Sequence, residues 1–426
     1  MSAHRPDSHR DETLRELLTS PLDEQPRRGP STILLVAGIV AAVTAAILIP
    51  VLVLGGGGDE TEPEAGTAAS TTTTTDVPGT PGYPSARSLA PAAAAGPGRI
   101  VMVGGVEGTP RVVVGSAIAE TWTYSTTRNQ WYEADPSGNP EARFGQAMAF
   151  DEQSGALVMF GGSTGPGRFC RVVRRCGLQE QADTWWFFPD TGTWNQAPGS
   201  GGPSARFGAA AAYDAQSDRI VLFGGSRTLD NYGLADLYDD TWAYDFDTDT
   251  WTQMSPDRAP VPRAYAAVAY DPSVDRILLW GGSGVDTDID GAMWAYDLES
   301  DTWTEIAPAE EDSPQPLWDA TLVYADVIGR SVLIGGEGPI TREIAEGVTA
   351  TEIGLSDIVW VFDAASGRWS RREPLAGGVA GHSAAYDQET RRIVVVAWGT
   401  TAFYDPLADE WEDVTPEEAA QDAEDG

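Results

Sequence analysis

The sequence predicts an all-β fold of six tandem four-stranded units, each a propeller blade, preceded by one apolar transmembrane helix. Three observations carry this reading. A glycine doublet recurs at Gly104-Gly105, Gly161-Gly162, Gly224-Gly225, Gly281-Gly282 and Gly335-Gly336, with a degraded copy at Trp398-Gly399, at intervals of 57, 63, 57, 54 and 63 residues. A tryptophan pair nine residues apart follows each doublet: Trp122 and Trp131, Trp185 and Trp194, Trp242 and Trp251, Trp294 and Trp303, Trp360 and Trp369. In the sixth copy Ala402 replaces the first tryptophan and Trp411 keeps the second. Between these markers lie short apolar runs broken by Gly, Pro and Asp turns, the pattern of an antiparallel meander. A period of roughly 50 residues with four strands per unit marks a propeller blade.

The chain divides in order. Residues 1–31 are polar and read as a cytoplasmic tail. Residues 32–54 form an uncharged apolar run, long enough to cross a hydrocarbon layer of roughly 30 Å as a helix. Arg27 and Arg28 precede it, and Asp59, Glu60, Glu62 and Glu64 follow. The positive-inside rule therefore places the amino terminus in the cytoplasm and the repeats outside the membrane. The polar leader and the apolar run both exceed the usual lengths in a cleaved signal peptide. Residues 55–83, rich in Gly, Thr and Pro, read as a disordered linker. Residues 84–414 hold the repeats, and 415–426 an acidic disordered tail.

The clearest repeat, 203–251, contains PSARFGAAAAYD, then DRIVLFGGS, DDTWAYD and TDTW. These residues resemble the Kelch family, in which a glycine doublet ends one strand and Tyr and Trp follow at set spacing. The resemblance covers 84–414 and implies a closed ring of six blades. The first unit carries its own first strand and the last its own fourth. No strand exchange between terminal blades is expected, and closure is left to side-chain packing. In such a meander the second-to-third connections and the links between blades share one end. That face, where the insertions gather, is the expected binding surface.

The chain has 27 basic and 64 acidic residues, a formal net charge of -37, and no lysine. This excludes nucleic acid and anionic lipid as partners by simple repulsion. His382 is the one histidine beyond the predicted anchor, and it occupies a repeat position. One imidazole cannot supply the two that copper oxidases of similar architecture use, and any Ser-His-Asp triad would rest on it alone. No catalytic residue is singled out, although so many acids leave carboxylate chemistry open. PDTGTW at 189–194 is a single near miss to the sialidase Asp-box.

Individuality lies after the doublets. Cys170 and Cys176, in FCRVVRRC, are the only cysteines. Outside a membrane they are expected to pair as a short-loop disulfide. Arg168, Arg171, Arg174 and Arg175 form a basic patch that either docks an anionic partner or neutralises neighbouring acids. Asp286, Asp288 and Asp290, in DTDIDG, resemble a calcium loop, but strand-like flanks argue for an ordinary acidic turn. No other cofactor is expected. The insertion 338–356 is expected to include a short helix at 342–345.

Comparing the units exposes one more pattern. Arg87, Arg143 and Arg206 stand where units five and six have Leu317 and Val379. Glu120, Asp183 and Asp240 stand where those units have Ile358 and Thr400. Cation and acid are present together in units one to three and absent together in units five and six; only unit four breaks the pattern, with Arg263 but Ala292, and there Asp290 lies two residues further upstream. This predicts an ion pair in each of units one to three. The competing expectation turns the arginines into the channel as an anion site. Together the features predict non-catalytic recognition of a protein or cell-envelope glycan. The alternative is a carbohydrate-active hydrolase or lyase using Asp or Glu on the loop face.

Overall fold

The second strand of each unit is its most apolar run, and the fold is built around it. Ile220, Val221, Leu222 and Phe223 are all buried, as are Ile277, Leu278, Leu279 and Trp280. Successive side chains on a strand point to opposite faces, so these strands need cover on both sides. Neighbouring sheets supply it.

The computed structural model describes residues 77–415 apart from 110–111, 136–137, 166–178, 200, 231–232, 285–290, 308–312 and 346–347. Every helix or strand element among the described residues is a β-strand. Six sheets contain the repeats, each running first, second, third and fourth strand. In the third these are Ala210–Asp214, Arg219–Phe223, Thr241–Asp245 and Thr250–Gln253, all paired antiparallel. The first strands are Ala92–Ala94, Ala147–Asp151, Ala210–Asp214, Ala267–Asp271, Thr321–Ala325 and Ser383–Asp387. Each lies beside the next, and the sixth lies beside the first. Their small residues let six sheets converge, while the tryptophans fill the widening space outside.

One design repeats at the seams. The second tryptophan sits opposite a third-strand aromatic, as in Tyr244↔Trp251, with ring centroids 4.8 Å apart. Its indole N–H crosses to the threonine opening the third strand of the preceding sheet. Trp194 reaches Thr121 at 2.9 Å, Trp251 reaches Thr184 at 2.9 Å, and Trp303 reaches Thr241 at 2.9 Å. The turn between these strands is equally constrained. Asp249 adopts a left-handed backbone (φ 51°), accepts the Tyr244 hydroxyl at 2.8 Å and accepts Gly199 N–H of the preceding unit at 2.6 Å. The fixed nine-residue offset follows from this turn, because a longer or shorter one would lose both bonds.

The doublets mark where adjacent sheets come closest. A Cβ on Gly224 would lie 2.5 Å from the carbonyl oxygen of Arg263, and one on Gly281 would lie 2.3 Å from that of Leu317. Gly225 N–H donates to that same Arg263 oxygen at 2.9 Å. The space left by the missing side chain therefore belongs to the next sheet. At the seam between sheets six and one Trp398 takes the first doublet position and keeps the left-handed backbone, with φ 50°.

Three features differ from expectation. Closure is not left to packing alone. Leu89 N–H donates to Gly381 O at 2.8 Å, Gly98 N–H and the Thr126 hydroxyl donate to Asp387 at 2.7 Å each, and Trp131 reaches Thr401 at 3.2 Å. The stretch 55–83, read as linker, contributes the strand Thr80–Gly82, which pairs with Gln130–Glu133 on the outer edge of sheet one. Pro81 is tolerated because an edge strand has one unpaired side. The insertion 338–356 forms a hairpin, Glu337–Ala345 with Val348–Leu355, rather than including a helix at 342–345. Its Thr, Ile and Val are β-branched and favour a pleated strand.

The predicted tail 1–31, the predicted span 32–54, linker residues 55–76 and residues 416–426 lie outside the described residues. Among the described residues no helix is long and apolar enough to cross a membrane.

Candidate functional site

Around the centre of the ring stand six residues, one from each unit: Leu89, Gly145, Gly208, Tyr265, Asp319 and Gly381. All are left-handed, with φ of 55°, 62°, 65°, 57°, 55° and 59°. Each donates its backbone N–H to the equivalent carbonyl of the preceding unit. Gly145 reaches Leu89 at 3.1 Å, Gly208 reaches Gly145 at 2.7 Å, and Tyr265 reaches Gly208 at 2.7 Å. Asp319 reaches Tyr265 at 3.2 Å, Gly381 reaches Asp319 at 3.2 Å, and Leu89 closes the circle on Gly381. The result is a closed belt of six backbone hydrogen bonds. Sequence reasoning missed it, although three glycines in one repeat column were its signal.

The glycines also make room for Tyr265. A Cβ on Gly208 would meet its ring at 3.1 Å, and one on Gly145 would lie 3.5 Å from its hydroxyl. The tyrosine thus extends from sheet four over Gly208 toward sheet two. Burial, aided by the Asp319 charge, holds its hydroxyl well above the usual pKa.

A cavity of about 130 Å³ opens at this belt, with Gln146, Tyr265, Asp319 and His382 among its lining. Ligand pockets usually measure roughly 300–1,000 Å³, so this one admits a small group only. Burial and then the charge of Glu337 push the Asp319 carboxyl up to about 7. His382 sits with Nε2 3.0 Å from the Thr321 hydroxyl, and burial lowers its pKa to about 4, leaving it neutral at pH 7. A depressed histidine pKa gives stability that is full above the unfolded value near 6.5 and is lost as pH falls toward 4. His382→Ala, which installs the residue found at Ala209, Ala266 and Ala320, should therefore reduce acid sensitivity. Between pH 7.5 and 4.5 the wild type should lose about 2–3 kcal/mol more than the variant in urea unfolding. Equal losses would contradict this assignment.

The three arginines do not enter the channel as an anion site. Arg87 meets Glu120 at 2.5 Å, Arg143 meets Asp183 at 2.6 Å, and Arg206 meets Asp240 at 2.5 Å. Each guanidinium also donates to the carbonyl of the first glycine of its own doublet, as Arg206 does to Gly224 at 2.8 Å. The first tryptophan completes the group, with Trp242 donating its indole N–H to Asp240 at 2.7 Å. Burial alone would raise the Asp240 carboxyl, but Arg206 and Trp242 bring it below its ordinary value. Asp183 behaves likewise beside Arg143 and Trp185. These pairs brace the loop-bearing end.

Hairpins rise from that braced end. They are Val106–Thr109 with Val112–Ala117, Ser163–Thr164 with Gln179–Glu180, Ser226–Asp230 with Gly233–Leu237, and Glu337–Ala345 with Val348–Leu355. Their roots are pinned beside the belt by bridges such as Phe144↔Ser163, Phe207↔Ser226 and Trp318↔Glu337. The expected crowding of insertions on one face is thus seen in units one, two, three and five. Ile353 on the longest hairpin is 57% exposed.

Cys170, Cys176, Arg168, Arg171, Arg174 and Arg175 lie outside the described residues, as do Asp286, Asp288 and Asp290. Among the described residues no group of three or more His, Cys, Asp and Glu side chains is placed to hold a metal ion.

Comparison with known proteins agrees with this geometry. The KLHDC2/KLHL20/DRC7 Kelch-repeats domain matches residues 172–374 and 236–423, which together exceed half of the chain. The Attractin/LZTR1 beta-propeller matches residues 69–270. Beta-scruin of Limulus polyphemus is 25% identical over 53% of this chain and 22% of its own length. Multiple epidermal growth factor-like domains protein 8 of Mus musculus is 26% identical over 62% of this chain and 9% of its own. Dynein regulatory complex subunit 7 of Chlamydomonas reinhardtii is 33% identical over 24% of this chain and 8% of its own. The chain therefore spans less than a quarter of the length of these relatives. With the belt, the doublet seams and these matches in hand, the chain belongs to the Kelch-repeat family of β-propeller domains.

Proposed function

We propose that the chain is a non-catalytic recognition module, a six-bladed propeller that binds a protein, or alternatively a cell-envelope glycan, through its loop face. The observation that carries this reading is the combination of a hydrogen-bonded belt with hairpins rooted around it on one side. A rigid ring holds variable segments in fixed relative positions, which is how recognition surfaces are built. Kelch and related propeller families fit a protein-binding role, in keeping with that geometry. We further propose that residues 32–54 anchor the chain once in a membrane, with the amino terminus cytoplasmic and the propeller outside. Pairing of Cys170 with Cys176 belongs to the same proposal.

The hydrolase or lyase alternative needs two facing carboxylates in a pocket that takes a sugar. Glycosidase carboxylates stand roughly 5–9.5 Å apart around a sugar ring. The belt cavity is small, and among the described residues Asp319 is the one carboxylate in its lining. The test is capture from a cell-envelope extract by the wild-type chain. It is repeated with a variant whose 338–354 hairpin is replaced by a tight turn. Specific protein capture that falls with the hairpin supports the proposal. Glycan cleavage without protein or glycan capture would reverse the order of the two readings.

A further inference from the structure

The fourth strand of each unit is the outermost of its four, and one of the six differs in charge. In order they read QWYE, TWNQ, TWTQ, TWTEI, RWSRR and EWED. The strand of unit five, Arg368–Arg372, holds three arginines where the others hold no cation, on a chain of net charge -37. Arg368, Ser370 and Arg371 are exposed, and Arg372 is half-buried. Arginines that open the second strands are matched by acids. Arg219 meets Asp245 at 2.7 Å, Arg276 meets Asp297 at 2.8 Å, and Arg330 meets Asp363 at 2.8 Å. Arg371 and Arg372 have no such acid among the described residues.

The same strand is open along one side. It pairs with Val359–Asp363, and no strand among the described residues lies beyond it. A free edge presents a row of backbone N–H and C=O groups with which another extended segment can pair. Sheet one takes a fifth strand at the equivalent edge. There Thr80–Gly82 lies antiparallel on Gln130–Glu133, with Thr80 opposite Glu133 and Gly82 opposite Trp131. Side chains alternate along a strand, so Arg368, Ser370 and Arg372 share one face, and Trp369 and Arg371 the other. Directly opposed residues on neighbouring strands share a face, and opposite charges there attract. An added antiparallel strand would therefore meet Arg372, Arg371 and Arg368 with its first, second and fifth residues.

We infer that the outer edge of sheet five is a docking strand for an extended acidic peptide, added antiparallel and carrying acids in the order acid-acid-x-x-acid. The backbone edge favours a peptide over an anionic polysaccharide, which has no regular ladder of amides to offer. This surface is separate from the hairpins and does not rest on the reading of the hairpin face. Charge on an edge strand has a simpler use, since it discourages pairing between copies of a chain, and the experiment separates the two.

The probe is fluorescein-labelled TEETVET, followed by anisotropy against the full chain at low salt, where charge attraction is little screened. Two altered peptides accompany it. TQQTVQT removes the charge. TEEPPET keeps the charge and removes two successive N–H groups, one of which must point at the edge. TEETVET should bind about tenfold more tightly than either. Arg371→Glu, at an exposed site, should weaken TEETVET about tenfold, because like charges then face each other. Arg371→Lys should restore most of the binding. Bound TEETVET should also slow amide exchange within 368–372. Equal binding of TEEPPET and TEETVET overturns the inference, because the edge would then be a general anion strip open to polysaccharides. Wild-type affinity in Arg371→Glu overturns it as well. So does the absence of peptide binding, which would leave the arginines as guards against self-pairing. Envelope capture reads the hairpin face, so either result can fail alone.

Discussion

Asp240→Ala should cost about 3–5 kcal/mol of unfolding free energy, because it strands a guanidinium that is 1% exposed. Arg206 would keep its bonds to Ser204 O and Gly224 O but lose its counter-charge. Trp242 would lose its acceptor at the same time. The repeat itself supplies the compensated variant. Unit five has buried Leu317 in the cation position and Ile358 packed nearby in the acid position. Arg206→Leu combined with Asp240→Ile should therefore be much milder than Asp240→Ala, within about 2 kcal/mol of wild type, since apolar replacement of a buried pair is often near neutral. Urea unfolding monitored by tryptophan fluorescence checks both. A single variant that loses less than about 1 kcal/mol would place the pair among solvent-screened contacts.

Gly224→Ala is the second large effect. Its φ of 69° is left-handed, and the new Cβ would sit 2.5 Å from Arg263 O, a backbone atom that cannot swing aside. Gly155 is the matched control, with the same φ of 69° and nothing within 4 Å of the place a methyl group would occupy. Gly155→Ala should cost about 1–2 kcal/mol from backbone conformation alone. Gly224→Ala adds overpacking and a weakened Gly225 to Arg263 hydrogen bond, for a total of about 3–5 kcal/mol. Similar losses for the two would mean the doublet is needed for its dihedral angles and not for the seam.

The repeat makes much of this legible, because each copy is a separate test of which residues must stay. The doublets and the tryptophan pairs locate every sheet, and the joint loss of Arg and acid in units five and six identifies the ion pairs. What stays hidden is contact between units. The belt depends on backbone atoms, and its column contains Leu89, Tyr265 and Asp319 beside three glycines, so side-chain identity obscures a shared φ. The true role of the doublet is hidden for a related reason. The obstructing atom is a carbonyl of the next unit, about 40 residues away in sequence. The hairpin at 337–355 is easily misread locally because Glu and Ala at 343–346 suggest a helical turn, while its β-branched neighbours decide the outcome. The channel lining is partly visible. His382 stands out by its scarcity, but Gln146 and Asp319 fall in columns that hold different residues in every other unit.

Recognition through a single face is tested most directly by amide hydrogen exchange on the full chain with its captured partner. Protection should appear in the hairpins 106–117, 226–237 and 337–355 and at belt residues 265 and 319. The turns 245–250 and 297–302, at the opposite end of the sheets, should exchange as in the free chain. Protection confined to those opposite turns, with the hairpins unchanged, would contradict recognition by the hairpin face.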